Sequence, residues 1–121
     1  MTKAAQSIVA FGVYGVLTGL GFLFMPNVVL GTFGFMETSE SWIRVVGCLA
    51  LVISYYYIQA GRQELTSFFR FTLHTRSVIF FAFAGSVVFG FAEPMLIIFG
   101  VVDLLGALWT AWALRQDQKA A

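Results

Sequence analysis

The stretch IVAFGVYGVLTGLGFLFM, residues 8–25, carries no charge and only Tyr14 and Thr18 as polar side chains. At about 1.5 Å per residue, a helix of that length crosses most of the roughly 30 Å hydrocarbon core of a bilayer. Three stretches of like character follow at 42–60, 77–92 and 95–114, so each of the four is 16–20 residues long. Only Arg44 and Asp103 interrupt them with charge. The reading is therefore all-α: a four-transmembrane-helix bundle, with helices at about 7–25, 42–60, 75–92 and 95–114 in a single integral membrane domain, 1–121.

Composition agrees. The chain is 60% hydrophobic and 11% charged, against roughly 45–50% and 25% in soluble domains. A net charge of +1 supplies no basic field, which speaks against nucleic acid as a partner, because phosphate neutralisation needs clustered Lys and Arg. A single Cys48 can form no internal disulfide. Lys3 ahead of the first apolar run invites comparison with a signal peptide. The run is longer than the usual apolar region, however, and Pro26-Asn27-Val28-Val29 offers no small-x-small cleavage site.

Six basic residues, Lys3, Arg62, Arg70, Arg76, Arg115 and Lys119, fall at the termini or in the middle loop, and only Arg44 falls near the opposite face. The positive-inside bias predicts cytoplasmic termini and a cytoplasmic middle loop. Two connecting segments are too apolar for exposed loops. Residues 26–41 predict a short helix or re-entrant turn at the outer interface, with Thr38 or Ser39 capping the second span. Before the third span, Leu65, Phe68, Phe69, Thr72 and Leu73 form a helical apolar stripe. It either lies along the membrane surface or extends the third helix downward. Proline breaks near Pro26 and Pro94 suggest a faint internal repeat of two hairpins.

Small residues should set the packing, since helices in lipid associate by close backbone approach. Gly12, Gly15 and Gly19 share a face of the first helix, Ala82, Ser86 and Gly90 form a row on the third, and Gly100, Asp103, Ala107 and Thr110 share a side of the fourth. These rows fit contacts within the chain or between copies.

Asp103 needs a reason, because a carboxylate near mid-span costs about 2.5–3.5 kcal/mol on insertion scales. Arg44 is the expected partner, with Tyr14 and Thr18 at depths suited to hydrogen-bond the pair and Gly47 leaving it room. The pair reads either as a structural tie between the second and fourth helices or as a site for the polar head of a lipid-like ligand. Proton transfer through Asp103 is a third reading. His74 has no second His or Cys nearby and is expected to hold no metal. Tyr55, Tyr56 and Tyr57 with Trp109 and Trp112 read as an interfacial aromatic belt, or as a site for an aromatic ligand, and Trp42 marks the outer interface.

No nucleophile–base pair, phosphate loop or zinc spacing is present, so no catalytic residue, metal or cofactor is expected. Quinone-linked thiol oxidoreductases and mercuric transporters need Cys pairs. Small multidrug exporters need an acidic residue in the first helix. GFLFMPN (21–27) running on to Phe33-Gly34, then IRVVG (43–47) and DLLGALWT (103–110), together resemble the DoxX-like group of small bacterial four-helix membrane proteins. That resemblance implies a bundle in a bacterial inner membrane and carries no agreed activity. The expectation is a non-enzymatic membrane protein, acting as an accessory subunit of a membrane complex or as a homo-oligomer. The alternative is a binder or carrier of a hydrophobic small molecule with its head near Arg44 and Asp103.

Overall fold

The computed structural model describes residues 1–120 as five helices: α1 (Lys3–Phe24), α2 (Pro26–Thr32), α3 (Trp42–Arg62), α4 (Thr66–Val88) and α5 (Leu96–Ala120). All but α2 are long and apolar enough to cross a membrane. Large apolar side chains such as Leu17, Leu49, Phe71, Phe81 and Leu108 are exposed, whereas Ser7, Ser54, Thr72, Arg76 and Thr110 are buried. That distribution suits a lipid solvent, in which polar groups find partners only within the bundle.

Helix α1 is the hub, packing on α3 along one side and on α5 along another, while α4 packs on α5. Glycine makes the α1–α3 contact close. A Cβ at Gly47 would lie 2.8 Å from the Gly19 carbonyl oxygen, and one at Gly12 would lie 3.2 Å from the Ser54 carbonyl oxygen. The glycine row of α1 thus serves contact within the chain. Gly100, Ala107 and Thr110 of α5 also face inward, whereas Ala82 of α4 and Gly90, just beyond its end, are exposed.

Packing is tightest on the face that carries both termini, called here the terminal face. Ala4, Ala5, Ile8, Tyr57, Ala60, Phe69, Ala113 and Leu114 form one buried cluster there. Carboxylates clamp the exposed N–H groups of the first turn of α1, where the helix dipole favours negative charge. Asp117 accepts from Lys3 N at 3.2 Å and Ala4 N at 3.0 Å, and Glu64 accepts from Thr2 N at 2.6 Å. Glu64 holds this position with φ of 53°, a left-handed conformation that costs a non-glycine residue about 1–2 kcal/mol.

At the other, distal face, Pro26 stands at the first position of α2, where its missing N–H is no loss. Gly34, at φ of 79°, turns the chain back so that Phe35 N donates to the Leu30 carbonyl. Phe33 and Phe35 then lie against Phe99 of α5, with centroids 4.9 and 6.1 Å apart, as a roof over the distal side of the bundle.

Of the two readings of the stripe before the third span, the structure takes the second: it is the start of α4 itself, because Phe69 and Thr72 are buried against the bundle. Two expectations are corrected. α4 stops at Val88, short of residue 92, where Gly90 adopts φ of 80° and ends the helix. Neither Thr38 nor Ser39 caps α3: the residue before it is Ser41, and the Thr38 side chain instead accepts from Glu40 N.

Candidate functional site

Below the roof the helices leave a cavity of about 390 Å³, within the roughly 300–1,000 Å³ usual for small-molecule sites. It begins near Phe22, Trp42 and Leu96 at the distal ends of their helices and reaches down to Phe11 and Tyr57. Every helix contributes a wall, including Leu30 of α2, Val46 and Ile53 of α3, and Phe83 of α4. The lining is mainly apolar. Residues with polar atoms in the lining are Tyr14, Thr18, Trp42, Ser54, Tyr57 and Asp103, and Asp103 is the one charged group among the described residues that line it.

Each polar group is placed by its own helix. Thr18 donates back to the Tyr14 carbonyl at 2.9 Å and Ser54 to the Ala50 carbonyl at 2.6 Å, which satisfies those hydroxyl protons without leaving the helix. Asp103 lies one turn above Gly106 and Ala107 on the inner face of α5. The structure therefore brings Tyr14, Thr18 and Asp103 to one cavity, as the sequence suggested.

Arg44 is elsewhere. Near the start of α3 it is exposed, and its Nη1 donates to the Leu23 carbonyl at the distal end of α1. The expected Arg44–Asp103 tie is replaced for a simple reason. Near the distal end of α1, the Leu23 carbonyl lacks an i+4 amide from α1, since the chain breaks at Pro26, and the long arginine side chain reaches it across the α1–α3 contact.

The cation nearest the cavity floor is Arg76, which sequence reasoning assigned to the middle loop. It is the eleventh residue of the 23-residue α4, roughly 15 Å along the helix, and only 3% exposed. Its Nε donates to the Thr72 carbonyl at 3.3 Å, and Nη2 donates to Thr72 Oγ1 at 2.9 Å and Thr110 Oγ1 at 3.0 Å. Thr110 Oγ1 lies 2.7 Å from Ser7 Oγ, so this polar chain ties α4, α5 and α1 together. The guanidinium carbon sits 4.9 Å from the Phe11 ring centroid and 5.9 Å from that of Tyr57, the two rings that floor the cavity. Such a stack favours a desolvated cation. Nη1 is buried without a hydrogen-bond partner.

A signal for Arg76 was present in the sequence. It stands four residues beyond Thr72 and seven beyond Phe69, on the same helical stripe that was read before the third span. Among the described residues no three of His, Cys, Asp and Glu gather as metal ligands would. His74 and Cys48 are both exposed. Tyr57 turns inward while Tyr55, Tyr56, Trp109 and Trp112 face outward. Compared with known proteins, the chain matches no family model, no curated protein and no solved structure.

Proposed function

We propose that this protein is a non-enzymatic binder or carrier of a hydrophobic small molecule, held in the crevice between α1, α3, α4 and α5 with its polar head at Asp103. One observation carries the reading: a cavity of about 390 Å³ whose lining is apolar except for a few convergent polar groups around one carboxylate. A body of lipid-like character gains from leaving neither water nor void in that space, while Asp103, Tyr14 and Thr18 orient the head. The head site moves from Arg44, as first expected, to the deeper end of the crevice.

The membrane would be a bacterial inner membrane, in keeping with the DoxX-like resemblance, with the terminal face cytoplasmic. Without the buried Arg76, the basic residues Lys3, Arg62, Arg70, Arg115 and Lys119 still lie toward that face, against Arg44 at the distal one, as the positive-inside bias requires. A second reading, self-assembly or docking to a membrane partner, is supported by α4: Ala82 is exposed, and nothing lies within 4 Å of a Cβ built at Gly85.

The test is binding of 1-decanol to the protein in nanodiscs, followed by native mass spectrometry. The reading expects one molecule bound, and its loss in Val46→Trp, which fills the crevice from a partly exposed wall. Equal occupancy in Val46→Trp, or none in the wild type, refutes it.

A further inference from the structure

Arg76 uses two of its three nitrogens within the bundle and leaves Nη1 buried and unpartnered. A buried donor left unpaired next to a charged centre is costly, and native structures rarely keep one without a use. Its surroundings suggest that use. A Cβ at Gly106 would lie 3.0 Å from Arg76 Nη1 and 3.0 Å from the edge of the Phe11 ring. The missing side chain at Gly106 thus lets the Phe11 ring close over the orphaned N–H, so that the ring alone stands between Nη1 and the crevice. One turn further along the same face of α5, Asp103 lines the crevice itself.

The two groups are chemically opposite. Arg76 Nη1 can only donate a hydrogen bond, and a carboxylate at Asp103 only accepts. A head that meets both must accept at one atom and donate at another. It is also uncharged, because Arg76 and Asp103 already balance each other, and an ion placed between them would leave one buried charge unmatched. Resting on the crevice reading above, we propose that the ligand head is a neutral group with both a donor and an acceptor, such as a primary amide. It bridges Asp103 and Arg76 Nη1 alongside Gly106, in the space that opens when Phe11 turns aside. Phe11 is only half-buried and lines the crevice.

Three probes with one ten-carbon chain separate the possibilities: decanamide donates and accepts, methyl decanoate only accepts, and decylammonium only donates and is charged. Binding to the full-length protein in nanodiscs is measured relative to partition into empty nanodiscs. Decanamide should bind about tenfold or more tightly than either of the others, the value of one further hydrogen bond to a charged group. Replacing Arg76 itself would strand Thr72 and Thr110, so the variant is Gly106→Ala, whose methyl would meet Arg76 Nη1 and the Phe11 ring at 3.0 Å and occupy the space beside the orphaned N–H. It should reduce decanamide to the level of decylammonium and leave decylammonium unchanged. If decanamide shows no advantage, or keeps it in Gly106→Ala, the head assignment is overturned while the crevice reading stands. If no probe binds, or Val46→Trp binds them all as well, both fall.

Discussion

The substitution Gly47→Ala probes the contact that builds one wall of the crevice. A methyl there would sit 2.8 Å from the Gly19 carbonyl oxygen, 2.8 Å from Leu23 N and 3.2 Å from Leu23 Cα. All three are backbone atoms of α1, so no side chain can turn away and the helices must separate. Overpacking of this kind costs about 1–3 kcal/mol. Alanine returns at most about 1 kcal/mol through its better helix propensity. The expected net loss is about 1–2 kcal/mol. Gly85→Ala is the control, since nothing lies within 4 Å of its Cβ and only the propensity gain, up to about 1 kcal/mol, applies. The two variants should therefore differ by about 2 kcal/mol, around thirtyfold in the ratio of folded to unfolded protein. Reversible unfolding in mixed dodecylmaltoside and dodecyl sulfate micelles, followed by circular dichroism, measures this. Equal stability of the two variants would refute the claim that backbone contact at Gly19 and Gly47 joins α1 to α3.

Three further outcomes follow from the polar contacts. Thr110→Val keeps the shape but removes the hydroxyl that accepts from Arg76 and is hydrogen-bonded to Ser7; a loss of about 1–3 kcal/mol is expected in the same unfolding assay. Asp117→Ala uncaps the Lys3 and Ala4 amides and should cost about 0.5–2 kcal/mol, with faster hydrogen exchange confined to the first turn of α1. Glu64 is held below its usual 4.5, chiefly by the backbone N–H of Thr2. A depressed carboxyl contributes fully above 4.5 and loses its contribution as pH falls through the lowered value. The nuclear magnetic resonance shift of the Thr2 amide should therefore move only in that acid range, and Glu64→Gln should abolish the movement.

Helix number and type were legible because the cue is one-dimensional: an uncharged apolar run of span length has few alternatives to a helix in lipid. The glycine row Gly12, Gly15 and Gly19 likewise announced close packing, though not that α3 would be the partner. The start of α4 was ambiguous, since an amphipathic stripe reads alike whether its apolar face meets lipid or another helix. Burial of Phe69 and Thr72 decided for the bundle.

The charges show the division most clearly. Asp103 was marked as needing a reason from its position in an apolar run, and Tyr14 and Thr18 from their depth beside it. The sequence alone thus determined a four-span bundle, and a polar spot within it, through periodicity and transfer energy. Which cation lies near that spot depends on how helices rotate and splay, a property no single segment carries. Only the tertiary structure sent Arg44 to the Leu23 carbonyl and drew Arg76 from an apparent loop to the floor of the crevice. The reason is that an arginine in lipid settles where acceptors and aromatic faces converge, and here Thr72, Thr110, Phe11 and Tyr57 come from four different helices.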